Sequence, residues 1–82
     1  VRIVYPLEGA RFHIDPFLGE REQLSIRIEG AASPSPVRVF VDGRPVGTTR
    51  GSVALWRLAP GAHRAWVEAE GRASEPVSFE VD

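Results

Sequence analysis

The residues able to do chemistry in this sequence are two histidines, six serines and a set of acidic side chains. No serine lies in a G-x-S-x-G turn, and an S-x-x-K pair is impossible because the chain has no lysine. Neither His13 nor His63 has the third partner that a Ser–His–Asp set requires. The serines are therefore interpreted as strand and turn residues, and no catalytic residue is predicted.

His13 and Asp15 stand two positions apart, so on a strand they would share one face and could bind a metal. A first-row metal site usually needs three or four ligands, and nothing obvious supplies the others. His13 is instead interpreted as a strand-end histidine before an Asp-Pro turn. His63 follows a Pro-Gly turn and is predicted to bond a carbonyl of that turn. No metal and no cofactor is predicted.

The carboxylates also fail to indicate an active site. A retaining glycosidase needs two of them about 5 Å apart in a cleft. Glu20 and Glu22 are expected on a loop, whereas Glu68, Glu70 and Glu80 are expected at solvated strand positions. The sequence therefore predicts that this domain is not an enzyme; a metal hydrolase centred on His13 and Asp15 is the weakest alternative.

Composition favours one small globular domain over residues 1–82. Hydrophobic residues make up 43% of the chain and the formal net charge is −1. All ten basic residues are arginines scattered along the sequence, which argues against a nucleic-acid partner. No apolar run approaches the roughly 18 residues of a membrane span, so no membrane insertion is predicted. Because the chain starts at Val1, it is interpreted as an excised domain or a mature fragment.

Turn signals recur about every ten residues, with short β-branched and aromatic runs between them. This pattern predicts an all-β fold, an immunoglobulin-like antiparallel β-sandwich of about seven strands. Parallel pairing is not expected, because no connection is long enough for a crossover helix. The first and last strands are expected at sheet edges. The expected core is Ile3, Leu24, Ile26, Ile28, Val39, Val41, Trp56, Leu58, Val67, Val77 and Phe79.

The strand 63–70 could present either of two faces to the core. Ala65, Val67 and Ala69 are assigned to the core because small alanines leave room for the Trp56 ring, and Trp66 is then expected to be partly exposed. Asp42-Gly43 predicts a tight hairpin, since these residues accept positive φ.

Four residues are candidate partner contacts: Tyr5, Phe17, Leu18 and Trp66. Tyr5 and Trp66 could be aromatic platforms for a sugar or a partner side chain, or else partly buried residues of a sheet. Phe17 and Leu18 lie among charged residues in a loop, where they could mark an interface or cap the end of the sandwich.

Taken in order, several segments resemble a known pattern. They are IVYPLEGARF at 3–12, Asp15-Pro16, Glu20-Arg21, VDGRPVG at 41–47, WRLAPGAH at 56–63 and GRAS at 71–74. The whole chain is similar to the C-terminal domain family of bifunctional penicillin-binding proteins of the 1C type. Glu70 and Phe40 depart from the residues usual in that family, which are an aspartate and a tryptophan or tyrosine.

The resemblance implies a periplasmic domain that follows a peptidoglycan glycosyltransferase and a transpeptidase in an inner-membrane-anchored parent. The catalytic residues of those enzymes lie in other domains and have no counterparts here. The expected function is therefore a non-catalytic interaction module that positions the enzyme or docks a protein partner of the envelope, with peptidoglycan as a further candidate partner. The alternative is a carbohydrate- or surface-binding module of a secreted glycosidase or adhesin.

Overall fold

A computed structural model describes residues 1–14, 17, 23–30, 36–49 and 52–82. Alternating and β-branched runs form nine strands, and no helix occurs in this part of the chain. The strands are β1 Arg2–Tyr5, β2 Ala10–Phe12, β3 Gln23–Glu29, β4 Val37–Val41, β5 Arg44–Thr49, β6 Val53–Arg57, β7 Gly61–Ala69, β8 Arg72–Ala73 and β9 Val77–Val81. The predicted all-β class is confirmed.

The strands form two sheets that pack face to face. The small sheet has the order β1-β3-β6, and the large sheet has the order β2-β9-β7-β4-β5, with the two-residue β8 paired to the end of β7. Most neighbours are antiparallel. The predicted sandwich of two short sheets is therefore confirmed.

The core lies between the sheets and is built from alternate residues of the strands. In β4, for example, Val37, Val39 and Val41 are buried while Arg38 is exposed. Nine of the residues predicted in the core are buried, and so are two more. The nine are Ile3, Leu24, Ile26, Ile28, Val39, Val41, Ala65, Val67 and Phe79; the two are Val37 and Val81. Four others that were predicted, Trp56, Leu58, Ala69 and Val77, pack against the core but stay partly exposed.

The β4–β5 connection is the predicted hairpin. Asp42 has φ 55° and Gly43 has φ 82°, the pair of positive angles that a two-residue type I′ turn requires. This turn holds Asp42 at one end of the large sheet, where its backbone amide donates to the carbonyl of Arg64 over 2.8 Å. The hairpin thus fixes where the Asp42 carboxylate points.

Two expectations about the strand pairing are wrong. β2 pairs in parallel with β9, from Ala10 opposite Phe79 to Phe12 opposite Val81. The need for a crossover helix applies to strands that follow one another, whereas the whole sandwich separates these two. As a result β9 lies inside the large sheet and is not an edge, while β1 is an edge of the small sheet as predicted.

The chain changes sheets between β1 and β2. Pro6, which is buried and follows a cis peptide bond, ends β1 in the small sheet, and Ala10 begins β2 in the large one. The Glu8 carboxylate accepts the backbone N–H of Ser78 over 2.7 Å and thereby ties this crossing to β9. The opening segment therefore closes one side of the sandwich.

Ser74 satisfies the backbone of β7 beyond its pairing with β8. Its hydroxyl accepts the Val67 N–H over 3.0 Å, and its own N–H donates to the Val67 carbonyl over 2.8 Å. Replacing Ser74 with alanine leaves the Val67 N–H without that acceptor, so the free energy of unfolding should fall by about 1–3 kcal/mol in urea melts. Ser74→Thr keeps the hydroxyl and serves as the control. Equal stability of the alanine and threonine variants would contradict this role.

Candidate functional site

The outer side of the small sheet carries the largest set of exposed apolar residues among those described. We call it the small-sheet face and define it by Val4, Tyr5, Val53 and Leu55, with Ser25 and Arg27 between them. Leu55 stands opposite Ser25 and Val53 opposite Arg27, so these side chains share one side of adjacent strands. Leu55 is 56% exposed and Val53 is 45% exposed.

A shallow cavity of about 550 Å³ lies on this face and is lined by Val4, Tyr5, Ser25 and Arg27. The pairing of β1 with β3 shifts register between Ile3 and Tyr5, so Val4 is the extra residue of an irregular step. Apolar walls around one arginine form a surface suited to contact with another macromolecule rather than to a reaction.

Two of the four predicted contact residues, Tyr5 and Trp66, lie on strands of different sheets. Tyr5 belongs to the small-sheet face, is 41% exposed, and forms a T-shaped pair with Phe12, with 6.2 Å between the ring centroids. Phe17 is 96% exposed, and Leu18 lies outside the described residues. Trp66 lies on β7 and faces outward from the other sheet. A single partner contact could therefore use Tyr5 or Trp66 but not both.

Trp66 is partly exposed, as predicted, and stacks on Phe40. The rings are 5.7 Å apart with 11° between their planes, and the two residues stand opposite each other on β7 and β4. Arg38 and Glu68 form the next pair on the same side of these two strands. Stacking covers one side of the indole, so the ring offers less open area than an isolated tryptophan platform would.

His63 joins three segments at one end of the sandwich. Its Nδ1 lies 2.5 Å from Oδ2 of Asp42, and its Nε2 lies 2.7 Å from the carbonyl oxygen of Ala59. The ring packs against Trp56 at 4.8 Å and Phe79 at 5.5 Å, and the side chain is only 9% exposed. The predicted bond to a turn carbonyl is confirmed, whereas the Asp42 partner was not foreseen.

The Asp42 carboxylate also accepts the backbone N–H of Arg64 through Oδ1, over 3.0 Å. Burial raises the pKa of Asp42, but the hydrogen bonds from His63 and the Arg64 amide, with the positive charges of His63 and Arg44, outweigh it. The pKa of Asp42 consequently lies below its ordinary value of 3.8. Asp42 is therefore an ionised acceptor at neutral pH.

The other candidate chemistry is not assembled among the described residues. His13 is 81% exposed and lies 3.3 Å from the Asp82 carboxylate, while Asp15, Glu20 and Glu22 fall outside that set. Within it, no group of three or more histidine and acidic side chains could hold a metal. The ring nitrogens of His63 contact Asp42 and Ala59, and Nδ1 of His13 lies near Asp82, so these contacts are not to a serine hydroxyl. Glu70 and Glu80 are exposed on the surface.

Val53 and Leu55 were missed as surface residues, although the sequence held the signal. Trp56 was placed in the core, and strand alternation then puts Leu55 on the opposite side. The exposed fractions show that Val53 and Leu55 are not covered by another of the described strands. An apolar residue facing away from an assigned core position is thus a usable indicator of a contact surface.

Two sheets packed face to face, with the orders β1-β3-β6 and β2-β9-β7-β4-β5, make this domain an all-β sandwich module. The chain is similar to a solved fibronectin(III)-like module of CbhA from Clostridium thermocellum, with 27% identity and a TM-score of 0.68. The likeness covers 99% of this chain and 92% of that one. It confirms the fold class predicted from turns and alternation.

The chain belongs to the Penicillin-Binding Protein C-terminus Family, whose sequence profile matches residues 1–79. This match confirms the resemblance that the ordered turn motifs indicate. No functionally curated protein matches the sequence. Over the residues described, the structure contains no helix of the length and apolarity that crossing a membrane requires.

Proposed function

We propose that this domain is a non-catalytic interaction module of a bifunctional peptidoglycan synthase, a penicillin-binding protein whose other domains carry the glycosyltransferase and transpeptidase. It positions those domains or docks a protein partner of the cell envelope. The proposal includes a periplasmic location for the domain, within a parent anchored in the inner membrane. Family membership supports the parent, and one structural observation carries the mode of action: the exposed apolar small-sheet face.

The small-sheet face differs from an ordinary solvated sheet surface. An antiparallel sheet with one wet side normally alternates apolar and polar residues, and its outward positions are then mainly polar. Here the outward positions of β6 include Val53 and Leu55, which remain 45% and 56% exposed. Exposed apolar residues grouped on one surface in this way mark contact sites in soluble proteins. Arg27 at its centre adds a hydrogen-bond donor of the type enriched in interfaces.

Removing the domain from the full-length parent tests whether it acts in binding or in the transpeptidase reaction. Acylation of the transpeptidase by labelled penicillin should stay nearly unchanged, while association with the partner or the arrangement of the domains changes. The reason is that no reacting residue is assigned to this domain. Loss of acylation by a parent that is still folded would overturn this division of roles.

A photo-crosslinking amino acid at position 55 tests the small-sheet face in the full-length parent. An internal crosslink to a catalytic domain supports positioning, and a product of higher mass supports an envelope partner. The control carries the same group at Thr48, which is exposed on the large sheet. Crosslinking at position 55 that does not exceed crosslinking at position 48 would remove this face from the proposal.

The Phe40–Trp66 pair favours one second candidate function, a carbohydrate- or surface-binding module. An aromatic side chain that is partly open on a sheet can stack on a sugar ring. Glycan strands titrated against the domain should then quench tryptophan fluorescence in a saturable way, and Trp66→Leu should abolish the effect. Unchanged fluorescence across the titration would exclude this alternative.

A further inference from the structure

His63 faces a hydrogen-bond acceptor on each ring nitrogen. The carbonyl oxygen of Ala59, 2.7 Å from Nε2, can only accept, and an ionised Asp42 carboxylate, 2.5 Å from Nδ1, can only accept. A neutral imidazole has one N–H and can satisfy one of them; the imidazolium has two and satisfies both. The geometry around the ring therefore calls for the charged form.

The opposite arrangement, a neutral ring that accepts a proton from a protonated Asp42, fits the contacts less well. The second oxygen of Asp42 already accepts the Arg64 amide, and the side chain is 45% exposed, so water also reaches the carboxylate. Both features favour ionised Asp42, in line with the lowered pKa of this group. His63 is then the proton donor in both contacts.

These contacts connect elements that belong to different sheets. Asp42 lies in the β4–β5 turn of the large sheet, and His63 lies on β7 of the same sheet. Ala59 lies in the connection that arrives from β6 of the small sheet. Trp56 and Phe79 pack against the ring, which is only 9% exposed, so water cannot readily replace a lost contact. One ring thus joins the hairpin to the crossing between the sheets.

We infer that His63 is an imidazolium that locks the β4–β5 hairpin to the β6–β7 connection, and that loss of its proton releases this lock. A neutral ring that keeps its bond to Asp42 would place a lone pair of Nε2 against the Ala59 carbonyl at 2.7 Å. That contact is repulsive, so the connection and the adjoining Trp56 would move away. This inference is independent of the docking function proposed above.

The charged groups around the His63 ring do not change the conclusion that both of its nitrogens carry a proton. The charged groups that contact His63 or line the two grooves beside it are Asp42, Arg44, Arg64, Arg11 and Glu80. The arginines oppose a positive ring, whereas Asp42 is the carboxylate in direct contact with it. Arg11 lies 3.5 Å from Glu80, so that pair largely compensates itself.

The direction of the pH effect follows from proton linkage. The lock needs a proton on His63, so its contribution is present at low pH and is lost as pH rises and the ring gives up that proton. It also needs ionised Asp42, so the same contribution is lost as pH falls through the lowered pKa of that carboxyl. The lock therefore holds only while Asp42 is ionised and His63 keeps its proton.

The test is thermal unfolding of the wild-type domain and of variants between about pH 5 and pH 9, the range that spans histidine titration. Wild-type Tm should fall by roughly 5–15 °C across this range, because a buried charge-assisted hydrogen bond is lost in a domain of this size. Asp42→Asn and His63→Gln should flatten that slope. His13→Gln is the matched control, since it removes the exposed histidine, and it should keep the wild-type slope.

NMR of the unmodified protein keeps the test decisive if a variant fails to fold. The ¹⁵N shifts of the His63 ring distinguish the imidazolium from both neutral tautomers, and at pH 6 they should show protons on both nitrogens. A neutral His63 ring at that pH would overturn the inference. A Tm slope that survives in both folded variants would overturn it as well.

Discussion

Replacing Phe79 with alanine is expected to lower the free energy of unfolding by about 3–5 kcal/mol, a large part of the total stability of the domain. A chain of this length is stabilised by roughly 4–12 kcal/mol. Phe79 is 2% exposed and lies between three other rings, at 6.1 Å from Phe12, 5.5 Å from Trp56 and 5.5 Å from His63. Truncation of Phe79 to alanine leaves a cavity, and the two packed sheets cannot move together far enough to fill it.

Chemical denaturation followed by circular dichroism measures this effect. Leu7→Ala is the control, because Leu7 is 69% exposed and its truncation should change stability by no more than about 0.5 kcal/mol. A loss below about 1 kcal/mol in Phe79→Ala would show that the centre of the sandwich is not packed around this ring.

Replacing Val39 with aspartate is expected to prevent folding at neutral pH. Val39 is fully buried in β4, which lies between β7 and β5 in the large sheet, and none of the fully buried side chains among the described residues is polar or charged. An ionised carboxylate buried without a partner costs several kcal/mol or more, which is comparable to the whole stability of the domain. The one-dimensional proton spectrum should therefore lose its dispersed methyl signals.

Thr48→Asp is the matched control for that substitution. Thr48 is exposed on β5 and stands opposite Arg38, so the same new carboxylate meets solvent and a positive charge. This variant should fold with nearly the stability of the wild type. If both aspartate variants folded equally well, the assignment of Val39 to the inside and of its neighbours to the outside would be wrong.

The alternation of apolar and polar residues predicted the strands that bury one side in the core. In β3, Leu24, Ile26 and Ile28 alternate with polar residues, and a shift by one position would expose all three, so their direction could be stated from the sequence. The parallel pairing of β2 with β9 could not be stated. These strands are short and far apart in the chain, and pairing between them depends on how the whole sandwich closes.

The candidate site divides in the same way. A bond from His63 to its preceding turn is local and could be predicted, since Ala59 lies four residues away. Its contact with Asp42 spans 21 residues and depends on β4 lying beside β7. The small-sheet face likewise depends on which strands become neighbours. The direction of side chains can therefore be predicted from the sequence of a single strand. A surface formed by several strands cannot, because it depends on which strands become neighbours.

The parallel pairing of β2 with β9 has a mechanical consequence. Tension applied through the chain at residues 1 and 82 pulls the two strands past each other along their length, in shear. The three residue pairs of this ladder, together with the bonds from Gly9 to Ser78 and from Asp82 to Phe12, then carry the load at the same time. An antiparallel pair pulled at one end would instead open one bond after another. The segment between β2 and β9 is therefore held against tension by bonds that must break together.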